Sequence, residues 1–141
     1  MLMDTVSTAK RSAMMRSIKG KNTKPEMVVR RLLHADGYRF RVNYRGVIGT
    51  PDLVFTKRKK VIFIHGCFWH RHPGCPRASM PKTNVPFWEN KFRHNIEHDQ
   101  AVLQGLHDDG WAVLIVWECE TKQPEALLVK LRDFLGPTKI Q

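Results

Sequence analysis

The sequence predicts an α/β fold in a single domain. Two apolar segments, residues 61–64 and 111–117, are rich in β-branched and aromatic side chains, which is typical of buried strands. The second segment is apolar almost throughout, as expected in a sheet that is covered on both faces. Amphipathic helical patterns flank these strands. The 141 residues, of which 42% are hydrophobic, are enough to bury one core.

The charge balance points to a polyanionic partner. Lysine and arginine total 24 against 13 acidic residues, which gives a net charge of +11 and a pI near 10.0. Nucleic acid is the first candidate and a membrane surface the second, and a basic protein without such a partner is the alternative. The sequence has no run of about 18 apolar residues and no apolar core of a signal peptide. We therefore expect a cytoplasmic protein that does not cross a membrane.

Residues 1–22 form a basic arm in which Met14 and Met15 are the only sizeable apolar pair after the first three residues. An arm of this kind is often a disordered tail. Paired methionines on a basic segment can also wedge against stacked bases, so both interpretations stand.

The first helix is predicted to begin after Thr23. Threonine is a good N-cap, Pro25 suits the first turn, and Glu26 stands three residues after the cap, as in a capping box. The amphipathic pattern ends near Gly37. Capping alone is a sufficient structural reason for Glu26.

A hairpin is predicted next. Residues 38–42 alternate apolar and basic side chains, which indicates a strand with one buried face and one positive, wet face. Asp52 follows a proline at the entrance to an apolar strand at residues 53–55, although Pro-Asp is also ordinary turn chemistry. The basic turn at residues 57–60 then leads into the strand at residues 61–64.

Two helices are predicted in the second half of the chain. The longer one covers residues 87–107, and Lys91, Asn95 and Asp99 are spaced by four on its polar side. That side faces either solvent or a site. The last helix covers residues 124–135 and is stopped by a Gly-Pro pair.

A metal site is predicted from the cysteines. Cys67, His72 and Cys75 lie on one loop, and Cys119 follows the last apolar strand. Three cysteines and one histidine are the ligands of a closed structural zinc site. His70 is an alternative ligand, although the shorter turn between His72 and Cys75 favours His72. The other interpretation is three unrelated cysteines that pack as small hydrophobes.

A second group of residues could hydrolyse a phosphodiester. That reaction needs a cation on the phosphate, a base for the water and a group at the leaving oxygen. Asp52, His65 and His70 could meet these needs with Mg²⁺ bound at Asp52, and Asp99 and Glu26 are possible helpers. The two histidines could instead be alternative zinc ligands or surface polar groups.

Phe68 and Trp69 stand between the presumed zinc ligands. Aromatic side chains on a loop are costly to expose unless they fill a core or stack on a partner. Core packing and stacking on bases both remain open for this pair.

Several motifs together resemble the very-short-patch repair (Vsr) mismatch endonucleases, and the resemblance extends over about residues 10–135. The motifs are GTPD at residues 49–52, VIFIHGCFWHRHPGC at residues 61–75, the helix with Phe-Trp, Lys, Asn and Asp at residues 87–99, and WAVLIVWEC at residues 111–119. The resemblance implies a restriction-endonuclease-like core with a central mixed sheet flanked by helices. It also implies an enzyme that nicks one strand of duplex DNA beside a thymine mispaired with guanine, the product of 5-methylcytosine deamination.

The resemblance implies a role for each catalytic candidate. Asp52 would bind the catalytic Mg²⁺ with help from the backbone of Ile64. His70, oriented by Asp99, would activate water, and His65 would act at the phosphate or the leaving group. Glu26 would be an auxiliary group near the metal.

The remaining implied roles concern zinc and DNA. The zinc ligands would be Cys67, His72, Cys75 and Cys119. The residues that wedge into the base stack would be Phe68, Trp69 and Met15, and those that touch the mispair would be Lys91 and Asn95. Two departures from the family pattern are an isoleucine at position 64, where some members have threonine, and two residues rather than one between His72 and Cys75.

The expected organisation is therefore a basic arm at residues 1–22, an endonuclease domain at residues 23–136 and a tail at residues 137–141. We expect a monomer that acts on mismatched double-stranded DNA, with repair proteins as possible partners. The alternatives are a nickase directed at uracil, hypoxanthine or an undamaged site, and a zinc-containing DNA-binding module without chemistry.

Overall fold

The computed structural model describes residues 23–138, so the N-terminal arm with Met15 lies outside the described residues. Within that range the chain forms helices α1 (Lys24–Ala35), α2 (Val85–Asp108) and α3 (Pro124–Leu135), strands β1 (Leu53–Phe55), β2 (Lys60–His65) and β3 (Ala112–Trp117), and short 3-10 helices at Pro76–Ala78 and Glu118–Lys122. None of the helices in this range combines the length and the apolar character needed to span a bilayer. The predicted α/β class is confirmed.

The sheet is mixed and its strand order is β1-β2-β3. β1 and β2 are antiparallel, with Leu53 opposite Ile62, so the predicted hairpin is confirmed. β2 and β3 are parallel, and their register ends with His65 opposite Trp117. Because parallel strands end at the same edge of a sheet, the segments that follow β2 and β3 begin side by side. This edge carries most of the candidate site.

Helices cover both faces of the sheet, as the apolar character of β3 predicts. On one face, Ile62 packs in a core with Leu33 of α1 and Leu131 of α3. On the other face, Val61 packs with Leu106 of α2. Neighbouring residues of β2 point to opposite faces because strand side chains alternate. Burial of these two apolar faces is the main stabilising contribution of the fold.

Local signals predicted the helix boundaries well. Thr23 is the N-cap of α1, and its hydroxyl accepts from the backbone N–H of Glu26 at 3.5 Å. The helix ends before Gly37, whose φ of +98° favours glycine. The last helix spans the predicted residues, and α2 begins two residues before its predicted start.

The prediction of a strand at residues 38–42 is wrong. Arg41 forms only an isolated antiparallel bridge with Val54, and Asn43 then turns the chain with a φ of +55°. The predicted alternation of burial is present, since Tyr38 is buried while Arg39 and Arg41 are exposed. The pairing stops early because β1 has only three residues. Alternate residues of a strand direct their backbone hydrogen bonds to opposite sides, so the other two residues of β1 bond toward β2 and do not extend the pairing with Arg41.

Candidate active site and metal centre

Asp52 stands at the entrance to β1, next to the middle of the sheet. Its Oδ2 accepts a hydrogen bond of 2.7 Å from the backbone N–H of Ile64 in β2. Burial raises the pKa of Asp52 to about 6, the Ile64 hydrogen bond opposes that change, and the negative charge of Glu26 adds to it. A half-buried carboxylate with a second carboxylate nearby is stabilised by a bound cation, which makes this position suitable for a divalent ion with oxygen ligands.

Two histidines stack beside Asp52. The rings of His65 and His70 have centroids 3.8 Å apart and planes inclined by 10°. Nδ1 of His70 lies 2.7 Å from Oδ2 of Asp99 on α2. Burial, together with the nearby His70, lowers the pKa of His65 to about 4. His65 is therefore a neutral imidazole near pH 7 that can donate one hydrogen bond and accept another.

Two clefts border this group. A cleft of about 230 Å³ is lined by Asp52, Ile64 and His70 together with His65 and Asp99. A second cleft of about 420 Å³ is lined by the same first three residues together with Glu26. Glu26 is 4% exposed and accepts a hydrogen bond of 2.9 Å from Arg30. All five predicted catalytic residues therefore line one or both of these clefts, and Asp52 and His70 line both.

The predicted zinc ligands converge at the carboxyl ends of β2 and β3. One ligand atom from each of Cys67, His72, Cys75 and Cys119 lies within 4.8 Å of the others, and Cys119 Sγ is 3.5 Å from His72 Nδ1. Burial raises the pKa of the Cys67 thiol to about 12. Three sulfur atoms and one imidazole fit a tetrahedral Zn²⁺, which would stabilise the thiolates. His70 faces Asp99 instead of the cysteines, so the structure groups His72 with them.

Trp117 lies between these two clusters. Its indole stacks on His72 with centroids 4.2 Å apart and planes inclined by 10°. The same indole meets His65 edge-on at 5.3 Å. The side chain of Trp117 therefore joins a candidate metal ligand to a candidate catalytic imidazole.

Phe68 and Trp69 are half-buried against aromatic residues of α2. Phe68 meets Phe92 edge-on at 5.2 Å, and the Arg71 guanidinium lies 3.9 Å from the centroid of the Phe92 ring. Both predicted interpretations remain compatible with this position, because the pair packs on one side and lines the second cleft on the other.

The polar side of α2 faces the loop that follows β2. Asn95 Nδ2 donates to the backbone carbonyl of Trp69 at 3.1 Å, one helical turn before Asp99 meets His70. Lys91 is half-buried one turn earlier. The spacing left open whether this side faces solvent or a site, and in the structure it faces the candidate site.

Three further residues belong to this region. His98 lines the first cleft, Trp117 is described above, and Glu118 accepts from the Cys67 backbone N–H at 3.4 Å. The parallel pairing of β2 and β3 is the feature that could have indicated Trp117 and Glu118, since it places them beside His65 and Cys67. His98 carries no distinct sequence signal.

Comparison with known proteins gives a consistent result. The family described as DNA mismatch endonuclease Vsr matches residues 3–77. The chain is 43% identical over 135 residues to the type II nicking enzyme V.XorIIP of Xanthomonas oryzae pv. oryzae, covering 96% of this chain and 98% of that one. It is 39% identical over 137 residues to the DNA mismatch endonuclease Vsr of Escherichia coli K12, covering 94% of this chain and 87% of that one. A third relative, the type II nicking enzyme V.NmeAIP of Neisseria meningitidis, is 44% identical over 119 residues, covering 84% of each chain.

Proposed function

The chain belongs to the Vsr family of DNA mismatch endonucleases and is a DNA-nicking endonuclease, and we propose that it uses Mg²⁺ to hydrolyse one strand of duplex DNA beside a T:G mispair. Such a mispair arises when 5-methylcytosine deaminates, and the nick would start very-short-patch repair. The observation that carries the proposal is the arrangement of the Asp52 carboxylate and the His70–Asp99 pair around one cleft. A carboxylate for a cation and an oriented imidazole for water are the two groups that phosphodiester hydrolysis needs.

Asp52 would hold the metal, with the backbone of Ile64 and the auxiliary carboxylate of Glu26 nearby. The Ile64 N–H already fixes one oxygen of Asp52, which leaves the other oxygen for a ligand. When bound, Mg²⁺ would polarise the phosphate and neutralise developing negative charge. The backbone N–H of Glu26 also donates to the N-cap hydroxyl of Thr23, and this hydrogen bond does not use the carboxylate, so it is compatible with the proposed role.

His70 would take the proton from the attacking water. The Asp99 carboxylate accepts a hydrogen bond from Nδ1–H of His70, and Nε2 then keeps its lone pair as the base. His65 would donate a hydrogen bond to the phosphate or to the leaving oxygen. Because burial keeps His65 neutral, its contribution there is a directed hydrogen bond without a formal charge.

Zn²⁺ at Cys67, His72, Cys75 and Cys119 would have a structural role. A closed site with four protein ligands leaves no open position for substrate. It would fix the loop that carries His70, Phe68 and Trp69 against the end of β3. Phe68 and Trp69, together with Met15 of the N-terminal arm, would wedge beside the mispair, and Lys91 and Asn95 would contact it.

The remaining parts of the proposal concern organisation. The domain at residues 23–136 would have the restriction-endonuclease-like topology, preceded by the basic arm at residues 1–22 and followed by the tail at residues 137–141. It would act as a monomer on chromosomal DNA in the cytoplasm, with repair proteins as partners. A net charge of +11 supports binding to a polyanion.

The experiment uses a labelled duplex with one G·T mispair. We expect a nick in one strand with Mg²⁺ and no nick in EDTA. Asp52→Ala should lose cleavage and keep binding, whereas the matched variant Asp133→Ala, which removes an exposed carboxylate of α3, should nick normally. Ordinary nicking by Asp52→Ala would refute the assignment of the metal site.

A second candidate is a nickase for another lesion or site. It is favoured by the relatives that are named type II nicking enzymes, a name that mentions no mismatch. The same duplex with G·T, G·U, inosine and matched pairs in several flanks distinguishes the two, because a lesion-independent enzyme should nick the matched duplex at a comparable rate.

A further inference from the structure

A basic surface lies at the outer edge of β1, away from Asp52. We call it the basic groove. It has a volume of about 600 Å³, and its wall includes the residues around Phe40, strand β1 and the turn that follows it. The cationic residues of its wall are Arg39, Arg41, Lys57 and Arg58. Among its described lining residues there is no carboxylate, so the groove has a positive potential.

Neighbouring groups hold the arginines of the basic groove in place. Arg39 Nη1 donates to the backbone carbonyl of Tyr38 at 2.9 Å, and the Arg41 guanidinium lies 5.5 Å from the ring centroid of Tyr44. Arg58 donates to two backbone carbonyls, at the end of α3 and just after it, at 2.9 and 2.8 Å. A guanidinium that is already positioned loses less conformational entropy when it binds an anion.

Two cations of the basic groove remain available to a ligand. Lys57 is exposed and has no partner among residues 23–138, and the hydrogen bonds of Arg39 within the same range use only Nη1. The acid closest in sequence to this wall, Asp36, already accepts from Arg132 at 2.8 Å. The charge of the groove is therefore not neutralised by the acid next to it in sequence.

We propose that the basic groove binds backbone phosphates of the DNA flank several base pairs from the scissile bond. Asp52 and Thr56 stand at opposite ends of β1, four residues apart, which corresponds to about 13 Å along a strand. That distance equals about four base-pair steps of duplex rise. A duplex that is bound at Asp52 and runs along β1 thus brings phosphates to Arg39 and Lys57. Because the duplex is already bound at Asp52, the effective concentration of its phosphates at the groove is high. An acidic protein segment is the competing ligand.

The inference rests on the proposed function, and its test is the salt dependence of DNA binding without added Mg²⁺. We compare the full chain with Arg39→Gln/Lys57→Gln on a duplex that carries one G·T mispair. Each phosphate contact contributes about 0.9 to the slope of log affinity against log salt concentration. The double variant should therefore lower the slope by about 1.8, and Lys57→Gln alone, which removes no contact with residues 23–138, by about 0.9.

Two controls locate the effect. The charge-retaining variant Arg39→Lys/Lys57→Arg should restore most of the slope. Trimming the duplex to about two base pairs on one side of the nick should abolish the difference between wild type and the glutamine variant, because the contacted phosphates are then absent.

Equal slopes for wild type and the double variant would overturn the inference and leave an acidic partner as the candidate ligand. If the glutamine variant still has the lower slope after either flank is trimmed, the inference is overturned as well, because the difference then reflects net charge alone. Failure of the proposed function appears separately, as wild-type protein that does not nick the G·T duplex with Mg²⁺.

Discussion

Nδ1 of His70 lies 2.7 Å from Oδ2 of Asp99, although the two residues are 29 positions apart and belong to the loop after β2 and to α2. A carboxylate oxygen only accepts hydrogen bonds, so Nδ1 carries a ring proton, and in the neutral ring the lone pair is on Nε2. The pair selects the imidazole tautomer that can receive a proton from water. Asp99 is therefore a positioning residue for the proposed base.

Asp99→Asn should slow nicking without abolishing DNA binding. An asparagine can present its amide instead of an acceptor oxygen and so favours the wrong tautomer of His70. A positioned general base contributes about 10²–10⁴-fold, and we expect a loss within that range in single-turnover nicking at saturating Mg²⁺ and DNA. The pH profile of the residual rate should also change, which loss of packing alone would not cause.

The matched control is Glu97→Gln, which removes an exposed carboxylate from the same helix. It should leave the single-turnover rate within about twofold of wild type, as is usual for a surface substitution away from a site. Wild-type nicking by Asp99→Asn would contradict the assignment of His70 as the oriented base.

Trp117 should connect the zinc cluster to catalysis. Its indole stacks on His72 and meets His65 edge-on, so Trp117→Leu removes the contact surface of both imidazoles. We expect about one equivalent of zinc to remain bound, because all four ligands are intact, while single-turnover nicking falls by about 10-fold or more from misplacement of His65. Trp117→Phe keeps an aromatic ring and should recover most of the rate. Normal nicking by Trp117→Leu would contradict this prediction and would mean that the indole has only a packing role.

Local chemistry explains which parts of the fold the sequence could predict. Thr23 and Glu26 indicate the start of α1 because capping involves residues three apart, and the final helix is bounded by its own proline and glycine. Burial on both faces of the sheet follows from the apolar character of β3 alone. The prediction for residues 38–42 failed because a strand also needs a partner, and the short β1 offers only Val54 to Arg41.

The candidate site was harder to predict because it depends on tertiary pairing. His70 and His72 are two positions apart, and either could accompany the cysteines on spacing alone. The structure separates them, since Asp99 on α2 meets His70 and Cys119 after β3 meets His72. Both partners come from later parts of the chain. The role of Trp117 likewise depends on the parallel register of β2 and β3, which no local pattern specifies.

Removal of zinc should unfold the domain. A structural zinc site contributes about 10–16 kcal/mol of apparent binding free energy, as much as or more than the total stability of about 5–15 kcal/mol of an ordinary domain. We expect His72→Ala to lose zinc and to be largely unfolded, and we expect a strong chelator to cause cooperative unfolding of wild type.

His94→Ala is the matched control, because His94 is exposed on α2 and apart from the cysteine cluster. It should keep about one zinc per chain and the wild-type melting temperature. Elemental analysis and circular dichroism measure both quantities. Wild-type stability in a His72→Ala protein that contains no zinc would contradict a structural role for the metal.

Gly49 should be required for the conformation of the loop that leads to Asp52. Its φ is +80°, and a Cβ at this position would clash with Cγ1 of Val102 on α2. Gly49→Ala should therefore cost about 1–2 kcal/mol for the left-handed backbone and about 1–3 kcal/mol more for overpacking. Gly136→Ala is the comparison without overpacking, because a methyl group added there would meet no atom within 4 Å. Its φ of +81° and ψ of −164° lie in a region that is nearly restricted to glycine, so its cost of about 1–3 kcal/mol comes from the backbone alone.

A double-mutant cycle then tests the contact between the loop and α2. In the Gly49→Ala background, Val102→Ala removes the clashing methyl groups, so the two substitutions together should destabilise the domain less than the sum of their separate effects, by about 1 kcal/mol or more. Urea denaturation measures the free energies of unfolding. Strict additivity would mean that the loop moves away from α2 to admit the methyl group. In that case Gly49→Ala should show a larger loss of nicking than its stability predicts, because the same movement displaces Asp52 from the Ile64 N–H.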